Sequence, residues 1–196
     1  MTLTEIIYGL LFQPSSTFQY LSREKPLKQG LLIFLSIALF NVLISQGIEN
    51  ISIKDSLTNL SPGFVWAAGG IGVIASMVML FFMAGFLSLI SEIIYGHANG
   101  KGLLVCLSFA FLPSVLGAPL QYAALLTEMK AAATALPLLA MIWVMILQVI
   151  ALREALSLRN SQAILLFLLP LLILLALCIV TVLLVVTVFS LPFMQF

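Results

Sequence analysis

The side chains able to do proton or charge chemistry are few, and they fall in two short stretches. Glu92 precedes the loop Tyr95-Gly96-His97-Ala98-Asn99-Gly100-Lys101-Gly102, and Arg153-Glu154 precedes Arg159. A carboxylate, an imidazole and an ammonium group in this order, Glu92, His97 and Lys101, could pass a proton or hold a lipid headgroup. Arg153, Glu154 and Arg159 could extend the same polar cluster. The competing reading is structural: a helix-ending acid, a glycine-rich turn, and cations that snorkel or pair at a membrane surface, where charge costs little. Larger catalytic constellations do not form. His97 is the only histidine, so an HExxH zinc site is excluded. There is no GxSxG elbow, no Walker loop and no dinucleotide fingerprint. Paired intramembrane carboxylates, the usual mark of a proton-coupled transporter, are also missing. No catalytic residue, cofactor or metal site is therefore expected, and the chain reads as a non-enzymatic protein.

The elements that position these groups follow from where charge is absent. Uncharged, largely apolar runs extend over 29–48, 61–91, 102–127, 131–152 and from 160 onward. A spanning helix needs about 20 apolar residues, and in hydrocarbon a backbone can satisfy its own hydrogen bonds only as a helix or a closed barrel. The expected fold class is all-α: a polytopic membrane protein with a bundle of five transmembrane helices. Spans are expected at about 29–48, 64–91, 103–126, 132–152 and 163–190, forming a domain over 29–191 after a cytoplasmic or interfacial segment over 1–28. Composition agrees, with 63% hydrophobic and 8% charged residues against roughly 25% charged in soluble domains. Mean hydropathy is +1.25. Lipid must be the solvent. A net charge of +1 excludes a nucleic-acid footprint, which requires concentrated basic charge. Cys106 and Cys178 each stand alone inside an expected span, which excludes zinc-type spacing and reads as packing.

The N-terminal segment does not have the pattern of a cleavable signal, because Glu5 sits where positive charge should lie. Leu3, Ile6, Ile7, Leu10 and Leu11 share one helical face, with Thr2 or Thr4 available as N-cap. Pro14 stops that helix, and a second short segment, 15–23, carries Phe18, Tyr20 and Leu21. Both are expected to lie in the membrane interface or to dock on the bundle. Arg23, Lys25, Lys28, Lys101, Arg153 and Arg159 fall on one side of five spans, while Lys54 and Lys130 fall on the other. The positive-inside bias then places the N-terminus in the cytoplasm and the C-terminus outside, with a tight outer hairpin at 128–130.

Individual spans differ. Ala68, Gly72 and Ser76 form a small-xxx-small ridge in the second, continued by Ala84 and Ser88 and expected to pack inside the bundle or in a dimer. Pro113 and Pro119, with Gly117 between them, are expected to kink or break the third. From 163 to 191 the fifth would reach about 43 Å as a helix, against about 30 Å of hydrocarbon, so tilt or a kink at Pro170 is required. Asn41, Gln46, Gln121 and Gln148 read as interhelical hydrogen-bonding groups.

An ordered set of features from 90 to about 183 resembles the Yip-one (Ypt-interacting protein) family of five-span membrane proteins. These are the glycine-rich loop 96–102, Phe109-Ala110-Phe111-Leu112-Pro113, Trp143, Leu152-Arg153-Glu154-Ala155, and Ser161-Gln162-Ala163. Pro14-Ser15-Ser16-Thr17-Phe18 is similar to the short proline-phenylalanine segment of prokaryotic members. The resemblance implies the fold. Eukaryotic relatives have a cytosolic N-terminal region and bind prenylated Rab-type GTPases, but this chain has only about thirty residues there and lacks the Asp-Leu-Tyr-Gly-Pro signature. Rab-type GTPase binding is therefore not carried over. The expected protein is a prokaryotic member in the cytoplasmic (inner) membrane, whose partners are the lipid bilayer and itself or other membrane proteins. Two function classes stand: a membrane scaffold or organiser, and a small transporter, channel or lipid-moving protein using the broken third span and Glu92.

Overall fold

The computed structural model describes residues 2–52, 62–127 and 129–190. Among the described residues eight helices follow in order: α1 (Leu3–Phe12), α2 (Pro14–Glu24), α3 (Leu27–Ser52), α4 (Pro62–Tyr95), α5 (Gly100–Ala110), α6 (Ser114–Leu126), α7 (Lys130–Ala155) and α8 (Asn160–Ser190). Among the described residues there is no strand. Five stretches of the described residues are long and apolar enough to cross a membrane: Leu27–Ser45, Trp66–Tyr95, Gly100–Leu126, Ala131–Ala155 and Asn160–Leu184. The fold is an all-α polytopic bundle with a short helical N-terminal region. Lys54 and Glu128, used above for orientation and for the outer hairpin, lie outside the described residues. α6 ends at Leu126 and α7 starts at Lys130.

Local chemistry sets the first two helices. Glu5 donates its backbone N–H to Thr2 Oγ1 at 3.4 Å, and Thr2 donates its own to Glu5 Oε2 at 2.9 Å. This capping box satisfies donors that the first turn leaves unpaired. Pro14 opens α2 at its first position, where a missing N–H costs nothing. Gly9 lets α1 approach α2 closely, because a Cβ there would run into Thr17.

Ile6, Leu10, Phe18 and Leu21 are each no more than 1% exposed. α2 lies against α5 and α7, and the Cys106 thiol on α5 donates to the Phe18 carbonyl at 3.5 Å. Burying a side chain of this size is worth about 1.5–3 kcal/mol. These four side chains dock on the bundle, within its core cluster. The inner face of α1 and α2 is part of the protein core. Leu3, Leu11 and the Tyr8–Phe12 ring pair, with centroids 4.6 Å apart, remain as an exposed apolar face on α1.

The centre of the bundle is α5, whose residues from Gly102 to Ala110 are all buried among α2, α3, α4 and α7. Gly30 brings α3 close to it, with the position of a Cβ 3.5 Å from Val105 Cα. The small-residue ridge of the second span is used in part. Ala68 and Gly72 are exposed, Ser76 is half-buried, and a Cβ at Gly72 would meet nothing within 4 Å. Its continuation, Ala84 and Ser88, is buried in the bundle with Leu80, Leu87 and Ser91.

The third span breaks at 111–113, between α5 and α6. Pro113 has no N–H to continue the helix. Two carbonyls at the break are taken up locally. Leu112 N–H donates to Phe109 O at 3.0 Å, and both the N–H and the hydroxyl of Ser114 donate to Phe111 O, at 3.0 and 2.7 Å. Pro119 lies inside α6 without ending it; α6 packs along α7 there, with Gly117 against Ala140. α8 joins the bundle through Ala163 and Leu166, and every residue from 171 to 184 is exposed.

Candidate functional site

Three helix ends meet around one side chain that the sequence reading left unassigned. Asn99 caps α5 by accepting the Gly102 N–H on Oδ1 at 3.2 Å. Its Nδ2 donates to the Ser22 carbonyl at 3.3 Å and to the Ala155 carbonyl at 3.1 Å. One amide thus ties the start of α5 to the ends of α2 and α7. Both carbonyls belong to last turns, which lack intrahelical partners and need an outside donor. Asparagine is among the preferred N-caps, so its place before Gly100 was the available signal. The bridge to Ser22 and Ala155 had none.

Beside this junction lies a pocket of about 610 Å³, lined by Gln19, Ser22, Arg23 and Lys25 of the α2 end, by Asn99, and by Arg153, Glu154 and Ser157 of the α7 end. Two of these residues hold left-handed backbone: Lys25 has φ +51° and Ser157 φ +54°. Left-handed conformation costs a non-glycine residue about 1–2 kcal/mol. Lys25 also precedes Pro26, which favours an extended conformation at that position. Both residues lie between helices, after α2 and after α7, and such strain often concentrates at functional positions.

Arg153 anchors the opposite wall. Its guanidinium donates to Glu154 Oε1 through Nε at 3.0 Å and again through Nη2, to Ser15 Oγ at 2.6 Å and to Asn160 Oδ1 at 2.9 Å. It thereby ties α7 to the start of α2 and the start of α8. These bonds occupy all but one of its N–H donors. Arg23 and Lys25 make no side-chain hydrogen bond or ion pair among the described residues.

Of the six polar residues singled out from sequence, the structure brings only Arg153 and Glu154 into this pocket. Glu92, His97, Lys101 and Arg159 are exposed and line none of the three pockets at the N-terminal helices, the α3–α4 groove and this junction. Glu92, His97 and Lys101 make no side-chain hydrogen bond or ion pair among the described residues. Arg159 contributes its backbone N–H, which donates to Gln162 Oε1 at 2.9 Å at the start of α8.

A second cavity of about 460 Å³ lies between α3 and α4 at the level of the α5–α6 break. Its lining is mostly apolar, with Asn41, Ser76 and Ser114 as polar exceptions and Gly72 at its edge. Asn41 Nδ2 donates to Ser114 Oγ at 3.3 Å, as expected of an interhelical hydrogen bond, while its Oδ1 is buried without a partner. Ser76 donates to Val73 O in its own helix at 2.8 Å.

The Yip1 domain model matches residues 8–190, from inside α1 to the end of α8. The chain belongs to the Yip1 family. No curated protein and no solved structure matches it significantly. In this Yip1-family protein the matched region includes α2, the Asn99 junction and both cavities, so the pocket is built within the family domain.

Proposed function

We propose that this Yip1-family protein is a non-enzymatic membrane scaffold, a prokaryotic member of the cytoplasmic membrane that organises itself, other membrane proteins or the lipid around it. The observation that carries this reading is the use made of its polar groups. Asn99, Arg153, Glu154, Asn41 and Ser114 hold helix ends and helix faces together. The residues most able to move protons, Glu92 and His97, stand exposed and without partners among the described residues. A transport path beside the third span would need polar groups free to face a permeant species. At that break the carbonyls of Phe109 and Phe111 are engaged by Leu112 and Ser114, and Asn41 Oδ1 is the one buried side-chain acceptor of the adjoining cavity without a partner among the described residues. Exposed apolar surface on α8 and the open ridge of α4 offer area for lipid or for another helix. The basic bias of the end that carries Arg23, Lys25, Lys28, Lys101, Arg153 and Arg159 supports a cytoplasmic N-terminus and an outer C-terminus.

In-membrane crosslinking tests the reading. A photoreactive residue at exposed positions of α4 and α8, Gly72 and Leu177, should give discrete protein adducts, to itself or to another membrane protein, in native membranes. A smear of lipid adducts alone at both positions would remove the protein-organising part of the proposal.

A further inference from the structure

We propose that the pocket at the Asn99 junction binds a phosphate group, presented by the headgroup of an anionic phospholipid. Charge is the first argument. The lining carries three cations, Arg23, Lys25 and Arg153, against one carboxylate, Glu154, an excess of two positive charges. The ends of α2 and α7 each contribute about −0.5 charge and the start of α5 about +0.5. Neutralising helix ends therefore accounts for only part of the excess, and about +1.5 remains.

Depth is the second argument. The first span starts at Leu27, the third at Gly100, and the fourth ends at Ala155, each beside a lining residue: Lys25, Asn99 and Ala155 itself. The pocket thus lies where three spans leave the hydrocarbon, at the level of one leaflet's phosphates. Donors complete the case. Arg23 and Lys25 are unpaired among the described residues, and Arg153, fixed by Ser15, Asn160 and Glu154, keeps one N–H to give. Basic pockets between membrane helices are a recurrent form of headgroup recognition. The inference is independent of the scaffold reading, because a lipid site can exist whether or not another protein docks.

Full-length protein, purified in neutral detergent, is examined by native mass spectrometry with three probes: phosphatidic acid, phosphatidylcholine and inorganic phosphate. Wild type should retain phosphatidic acid in preference to phosphatidylcholine. Arg23→Gln with Lys25→Gln should weaken that retention by about 25-fold, at about 5-fold per cation. Both side chains are exposed and make no hydrogen bond among the described residues, so the thermal midpoint should stay near wild type. Lys101→Gln, an exposed cation at the same end that does not line the pocket, should leave retention unchanged. No competition by inorganic phosphate assigns the site to the lipid. Effective competition at equal concentration keeps the phosphate site but overturns the lipid as its source. Equal retention of both lipids with no binding of inorganic phosphate overturns the proposal. So does an equal loss in Lys101→Gln, which would indicate diffuse attraction. Crosslinking on α4 and α8 reads the scaffold separately, so either idea can fail alone.

Discussion

Replacing Asn99 tests whether one amide holds three helix ends. In Asn99→Ala the α5 cap is lost at about 1 kcal/mol. The bonds to Ser22 and Ala155 are lost with it, at about 1 kcal/mol each. The total is about 3 kcal/mol, or a fall of about 6–12 °C in the thermal midpoint at about 2–4 °C per kcal/mol for a chain of this size. Asn99→Ser keeps an acceptor for the Gly102 N–H but loses both interhelical bonds, so its loss should be about 2 kcal/mol. Asn99→Asp is the decisive variant. It also keeps the cap, but it turns a carboxylate oxygen toward two carbonyls at the negative ends of α2 and α7. It should be less stable than the serine variant, although aspartate is the better N-cap in isolation. Gly102→Ala should mimic these losses, because its Cβ would lie 2.8 Å from Asn99 Cγ and displace the side chain. Combined with Asn99→Ala it should cost less than the sum of the two. Thermal unfolding in detergent gives the midpoints, and hydrogen exchange over residues 3–24 reports undocking of α1 and α2. An aspartate variant as stable as wild type would refute the donor role of this amide.

Other substitutions separate packing from lipid exposure. Phe18→Ala should cost about 3–5 kcal/mol in the same unfolding assay, whereas a near-neutral effect would put α2 in the interface rather than the core. Gly72→Ala should raise the midpoint slightly, since alanine favours helix by about 1 kcal/mol and the new methyl meets open space. A fall, accompanied by a change in oligomer size on light scattering, would show a second helix seated on that ridge. Ser157→Gly should stabilise the protein by about 1 kcal/mol by relieving its left-handed backbone, and a lower midpoint would mean that the hydroxyl holds the corner.

The fold was legible because lipid imposes a long-wavelength signal. Uninterrupted apolar runs at 29–48 and 131–152 need no knowledge of neighbours to be read as spanning helices. The break near Pro113 was also visible, since proline acts locally, but Pro119 showed that a neighbouring helix can hold a proline-bearing turn in place. The ridge at Ala68, Gly72 and Ser76 was legible as a smooth surface, yet nothing in its spacing said which way it faced. The junction at Asn99 was least visible. Its bonds reach Ser22 and Ala155, 77 and 56 residues away, and helical periodicity carries no information across such distances. The polar residues that drew attention, Glu92 and His97, were conspicuous through their rarity, while the structural work falls to an ordinary asparagine and to Arg153.

Reconstitution into liposomes tests the central claim most directly. Purified protein in vesicles preloaded with a pH-sensitive dye, an ion-sensitive dye or a fluorescent lipid should give proton, ion and lipid movement no faster than protein-free vesicles, and Glu92→Gln should change nothing. Robust flux abolished by Glu92→Gln would contradict the scaffold account and make the exposed carboxylate the gate of a transporter.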